Sequence, residues 1–274
     1  MEIFFSYLIG LSSSLLKYFI FAGIPFLIFY KLFANRFHRA KIQQRTAKRK
    51  DFSREILYSI QSSLVFVLLL IVLTATPLVQ YTRIYENLTD YPIWWIPVSL
   101  VLMLLIHDTY FYWLHRLMHL PALFKTVHAV HHKSVVPSPW ATRAFHVIEA
   151  VAEYMIAPIV LFLLPAHLFT LIAFAVCIMM INVYGHLGYE IMPKWFRRTW
   201  AFEILNTSVH HNLHHSKFKG NYGLYFRFWD RVMKTENPDY VKEYDKLQAK
   251  RFGSSAQVAP SDVVVNEAEV VLQA

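Results

Sequence analysis

No charged residue interrupts residues 59–81 (SIQSSLVFVLLLIVLTATPLVQY). About 20 consecutive apolar residues are enough to cross the hydrocarbon core of a bilayer. Inside lipid the backbone must satisfy its own hydrogen bonds, so such a run has to be a helix. The rest of the chain fits that constraint: 56% of its 274 residues are hydrophobic and only 16% are charged, against a usual ~25% for soluble domains. This excludes a disordered tail, a disulfide-stapled module and an ordinary soluble enzyme. The lone Cys177 has no partner for an intrachain disulfide. Further spans are expected at 12–33, 93–113, 147–164 and 166–184, giving four to five membrane helices in an all-α, polytopic protein. Glu149 and Glu153 shorten the fourth, so 147–184 reads either as two spans or as a re-entrant hairpin. The first run lacks a basic leader and a cleavage signature and is expected to be kept as an anchor.

Charge sets the orientation. The loop 34–56 carries eight Lys or Arg, whereas 82–92 carries only Arg83. Positive loops stay in the cytosol, which puts the N-terminus outside. A basic loop beside a membrane points to anionic lipid and topology, not to nucleic acid. Counting crossings from there, His115 and His186 both emerge on the cytosolic side, whether 147–184 crosses or dips.

That shared side matters because imidazole is the chain's unusual resource. Ten of its 14 His fall within 107–132 and 210–215. They include His115-x3-His119, His128-x2-His131-His132 and His211-x2-His214-His215, with His186 between the last two boxes. Residues three or four apart share a helix face, so each box is expected to grip one ion from one face. Neutral imidazole suits iron, copper, zinc and nickel. Eight such nitrogens exceed what one ion accepts, and two ions sharing them is the economical reading. Isolated His38 and His167 read as packed or solvated residues. His146 reads either as a partner of the ligands or as a bystander.

These motifs resemble the fatty acid hydroxylase/sterol desaturase superfamily of membrane di-iron enzymes. The similarity runs over about 95–235. It covers Asp108, Tyr112-Trp113-Leu114-His115-Arg116, His119, His128-x2-His131-His132-Lys133 and His146-x2-Glu149. It continues through Gly185-His186-x-Gly188-Tyr189-Glu190, His211-x2-His214-His215, Asn221-Tyr222-Gly223 and Trp229-Asp230. The resemblance implies a membrane anchor under a cytosolic helical cap that holds two Fe ions, with O2 as co-substrate. Carried over by position, the ligands are His115, His119, His128, His131, His132, His211, His214 and His215, with His186 a ninth and His107 and His210 as further candidates. Asp108, Glu149, Glu190 and Asp230 stand where carboxylates would accept imidazole N–H bonds; each is equally placed to pair with Arg116, Arg143 or Arg231.

The implied activity is O2-dependent hydroxylation or desaturation of a lipid C–H bond (sterol, fatty acyl or isoprenoid). The reading implies a separate electron donor of ferredoxin or cytochrome b5 type. Phe111, Tyr112, Trp113, Trp140 and Tyr184 are candidates to line the lipid's path, or ordinary packing. The competing reading is a His-rich membrane metal transporter or metal-binding protein without redox turnover. The expected organisation is 1–92 for the N-terminal helices and basic loop, 93–240 for the catalytic domain, and 241–274 for a C-terminal tail.

Overall fold

A computed structural model describes residues 1–253 of the chain, so most of the expected C-terminal tail, 241–274, lies outside the described residues. Helix α1 (Glu2–Phe26) continues through a π-helical turn at Leu27–Leu32, and α2 (Arg49–Ala75) packs antiparallel to it. Close approach is possible because the contact uses small residues: Ser59, Ser62 and Ser63 are buried, and a Cβ on Gly10 would meet Val67 at 3.1 Å. Helix α3 (Trp95–Met118) is the third long apolar element.

The expected span 147–164 is broken in two. Helices α4 (Val147–Tyr154) and α5 (Ile156–Leu163) meet at Met155. Pro158 explains the break, since it has no N–H and its ring collides with the carbonyl four residues back, that of Tyr154. The broken pair still travels the length of the bundle. Glu149 lies at the histidine end, bonded to His128, while Leu161 and Pro165 accept bonds from Arg83 and Trp95 at the other. There Ile84–Tyr85 (β1) and Ala166–His167 (β2) form a two-residue parallel ladder. Helix α6 (Leu168–Gly185) then returns, ending one residue before His186. Thus α1, α2, α3 and α6 are each long and apolar enough to cross a membrane, and the α4–α5 pair runs alongside them.

The cap sits at one end. Helix α7 (Ser208–Lys217) carries the last histidine box, and α8 (Tyr240–Phe252) closes over it. Residues 240–252, all but the first read from sequence as tail, bury Tyr240, Tyr244 and Leu247 against Phe202 and Val209. The basic loop reaches this same end, where Ile42 N–H donates to Gly188 and the Gln43 amide to Val135. Histidine boxes and positive loop therefore share one end of the bundle.

Candidate metal centre

Nine histidines converge in two groups: His115, His119, His128, His132 and His214 in the first, and His131, His186, His211 and His215 in the second. The boxes do not map onto the groups one to one, which corrects the expectation that each box grips one ion. Residues i+3 and i+4 stand about 100° apart around a helix, too wide for one small ion to be met by both. Each three-histidine box is therefore shared. His128 and His132 go to the first group and His131 to the second, whereas His211 and His215 go to the second and His214 to the first.

Within the groups the Nε2 atoms face one another. His115 and His128 are 3.1 Å apart, His132 and His214 3.0 Å, His131 and His186 3.3 Å, and His186, His211 and His215 lie 3.1–3.2 Å from each other. The groups adjoin, with His132 and His215 ring centroids 4.9 Å apart. Several Nδ1 atoms point outward to fixed acceptors. His128 donates to Glu149 at 2.7 Å, His115 to the Tyr222 carbonyl at 2.9 Å, His214 to that of Gly220 at 2.7 Å and His186 to that of Asn182 at 2.8 Å. Protons held at Nδ1 leave lone pairs at Nε2, aimed inward. The buried His119 Nε2 has no protein partner at all.

Lone pairs at ~3 Å repel unless a cation lies between them, and this spacing is the edge of a coordination shell with metal–nitrogen bonds of about 2.1 Å. Burial also keeps the rings neutral. It pushes His186 down to about 4, and burial together with neighbouring rings pushes His119 to about 2 and the other cap histidines of both groups well below the usual imidazole range. The donor set fits two transition-metal ions.

Comparison with known proteins gives the family. Residues 100–235 match the fatty acid hydroxylase family. The chain is 33% identical over 150 residues to a Delta(7)-sterol 5(6)-desaturase of Gibberella zeae, covering 55% of this chain and 45% of that protein. It is 31% identical over 186 residues to rat lathosterol oxidase, covering 67% and 60%, and 27% identical over 242 residues to human lathosterol oxidase, covering 84% and 79%. The chain belongs to the fatty acid hydroxylase/sterol desaturase superfamily. Its match spans only about half the length of the Gibberella and rat relatives. No solved structure matches it.

In this superfamily member the remaining candidates divide by what they touch. Glu149 alone of the four carboxylates receives an imidazole N–H within hydrogen-bond distance. Asp108 instead accepts from the Tyr225 and Phe226 amides. Glu190 accepts from Tyr184 and from the Met192 and Val209 amides, the last in the first turn of α7. Asp230 accepts from the Tyr222 and Gly223 amides and from Thr235. None of the three is an arginine salt-bridge partner among the described residues; they pin the backbone that carries the ligands.

His107 and His210 lie outside both groups. His107 bonds Tyr225 at 2.8 Å; His210 is buried with both ring nitrogens unpartnered, 3.9 Å from Asp230. His146 caps α4 by accepting from Ile148. Among the aromatics, Tyr112 bonds Thr235 and Trp140 packs on Tyr18. Tyr184 borders a water-sized cavity of about 10 Å³ beside His186 and His211.

The sequence reading missed the carbonyl acceptors, because a backbone oxygen has no residue signature. A signal exists nonetheless: Gly220 and Asn221 both hold positive φ, at 77° and 56°. That conformation favours Gly and tolerates Asn, and it sets the Gly220 carbonyl on His214. For Glu149, Glu149→Gln keeps an acceptor but loses its charge. It is expected to weaken metal binding about 10-fold and Glu149→Ala about 100-fold, measured by metal titration of stripped protein. Equal affinity in all three proteins would remove Glu149 from the site.

Proposed function

We propose that this protein is an O2-dependent lipid oxidoreductase, in which two iron ions held by the nine clustered histidines serve to hydroxylate or desaturate a lipid C–H bond. The observation that carries the reading is the place of the donor set. Two adjoining all-imidazole clusters are buried where membrane helices end, His115 in the last turn of α3 and His186 just past α6. A lipid carbon can be presented there without leaving the bilayer.

Breaking an unactivated C–H bond needs an oxidant that no side chain supplies, and the metal pair with O2 would supply it. The overall balance takes two electrons and two protons with each O2, yielding an alcohol and one water, or an alkene and two waters. Those electrons come from outside the chain, hence a separate donor of ferredoxin or cytochrome b5 type. The basic loop at the cap end supports a cytosolic face for the centre, where such donors are found. The chain's own groups hold the rings: Glu149 and three carbonyls fix the Nδ1 protons, and burial excludes water. The names of the relatives favour a sterol-like substrate and desaturation.

The test is lipid mass spectrometry of cells with and without the chain. A lipid lighter by two hydrogens is the expected product, and one heavier by an oxygen marks hydroxylation. A purified protein that holds only zinc, carries metal flux in proteoliposomes and consumes no O2 would instead establish the transport reading. Against transport, both clusters sit at one end of the bundle, not at its middle.

A further inference from the structure

Beside the cap, and apart from both histidine groups, lies a second cavity of about 280 Å³. It opens where α1 ends and α2 begins, with Tyr30 and Phe52 on the membrane-helix side and Lys41, Gln43 and His38 from the basic loop. Its lining also includes Asn212 of α7. Beside the aromatic and aliphatic part of the lining, its polar groups offer donors to an acceptor-rich guest. Lys41 makes no ion pair among the described residues, and no carboxylate lines the cavity. Asn212 is 1% exposed; its Oδ1 accepts from Gln43 at 2.9 Å, which leaves its buried Nδ2–H donors without a partner. His38 spends Nδ1 on the Asn35 carbonyl, leaving Nε2.

The nearby acid is committed elsewhere, since the Glu190 carboxylate is held by Tyr184, Met192 and Val209. Burial first, and then the Lys250 charge, lower the Lys41 ammonium. One ammonium and an unmet buried amide donor, with no carboxylate in the lining, leave the cavity's donors unmatched within the protein.

We propose that this cavity binds a phosphate-bearing group, with Lys41 and the Asn212 amide as its donors. The volume is at the small end for ligand sites, fitting a headgroup and not a whole lipid. Phosphate oxygens accept from both an ammonium and an amide. The membrane-edge position suits the headgroup of an anionic lipid, and a free phosphate offers the same oxygens.

The full chain in neutral detergent, titrated calorimetrically with dihexanoyl phosphatidic acid, inorganic phosphate and uncharged dihexanoylglycerol, separates these sources. Saturable binding of phosphatidic acid alone identifies a lipid headgroup; equal binding of inorganic phosphate identifies the free anion. Lys41→Gln is expected to weaken either about tenfold, the loss of one charge-assisted bond, while Lys41→Arg restores most of it. Circular dichroism and metal content, unchanged in both variants, show that the fold persists. No saturable binding of either phosphate, binding of dihexanoylglycerol as strong as of phosphatidic acid, or equal affinity in Lys41→Gln, overturns the proposal.

Discussion

Alanine at His186 is expected to take metal content from about two ions per chain to about one and to reduce lipid oxidation to background, because three imidazoles remain where a stable site needs about four donors. Alanine at His214 is expected to end oxidation too, but to cost less metal: the first group falls from five donors to four. Elemental analysis of the purified variants beside a lipid assay reads both quantities. The asymmetry follows from the five-to-four division, which a one-box-one-ion arrangement would not produce. His210→Ala is the control, since that ring belongs to neither group. Full metal content in His186→Ala, or metal loss in His210→Ala equal to it, would sink the assignment.

Asp230→Ala is expected to destabilise the protein by about 3–5 kcal/mol, since it strands the Tyr222 and Gly223 amides and the Thr235 hydroxyl in a dry interior. For a chain of this size that corresponds to a fall of roughly 10 °C in Tm. The Tyr222 carbonyl, which holds the His115 Nδ1 proton, loses its anchor in the same step. Metal release should therefore begin below the unfolding temperature in this variant. Asp230→Asn retains one acceptor oxygen and should fall between it and the wild type. Thermal unfolding followed alongside metal release checks the claim; a shift under about 2 °C would contradict it.

The parts of this molecule that were legible in its sequence are those governed by periodicity and hydrophobicity. The charge-free run at 59–81 announces a membrane helix, and the loop 34–56 marks the end of the bundle where the histidines gather. Histidine spacing identifies eight side chains that do come together, and the family resemblance adds His186 as the ninth. What spacing cannot give is which neighbour each ring meets. His131 and His132 are adjacent in the chain yet belong to different groups, with His131 meeting His186 and His132 meeting His214. Asp108, Glu190 and Asp230 look like Glu149 in sequence; only the fold shows that their oxygens face backbone amides. The break at Met155 was readable in principle from Pro158, but hydropathy alone averages across it. The cap helix over Tyr240–Phe252 buries its tyrosines among highly polar neighbours, so its low hydrophobicity concealed it.

The small ladder at the far end of the bundle bears on the histidine groups despite its distance from them. Ile84–Tyr85 and Ala166–His167 join the lead-ins to α3 and α6, and Trp95 to Pro165 and Ser99 to Thr170 reinforce the joint. From that joint the two helices run side by side for about 30 Å, one delivering His115 to the first group and the other His186 to the second. They act like the legs of a pair of compasses. The gap between the two histidine groups is thus set partly by the hinge, at the end of the bundle remote from them.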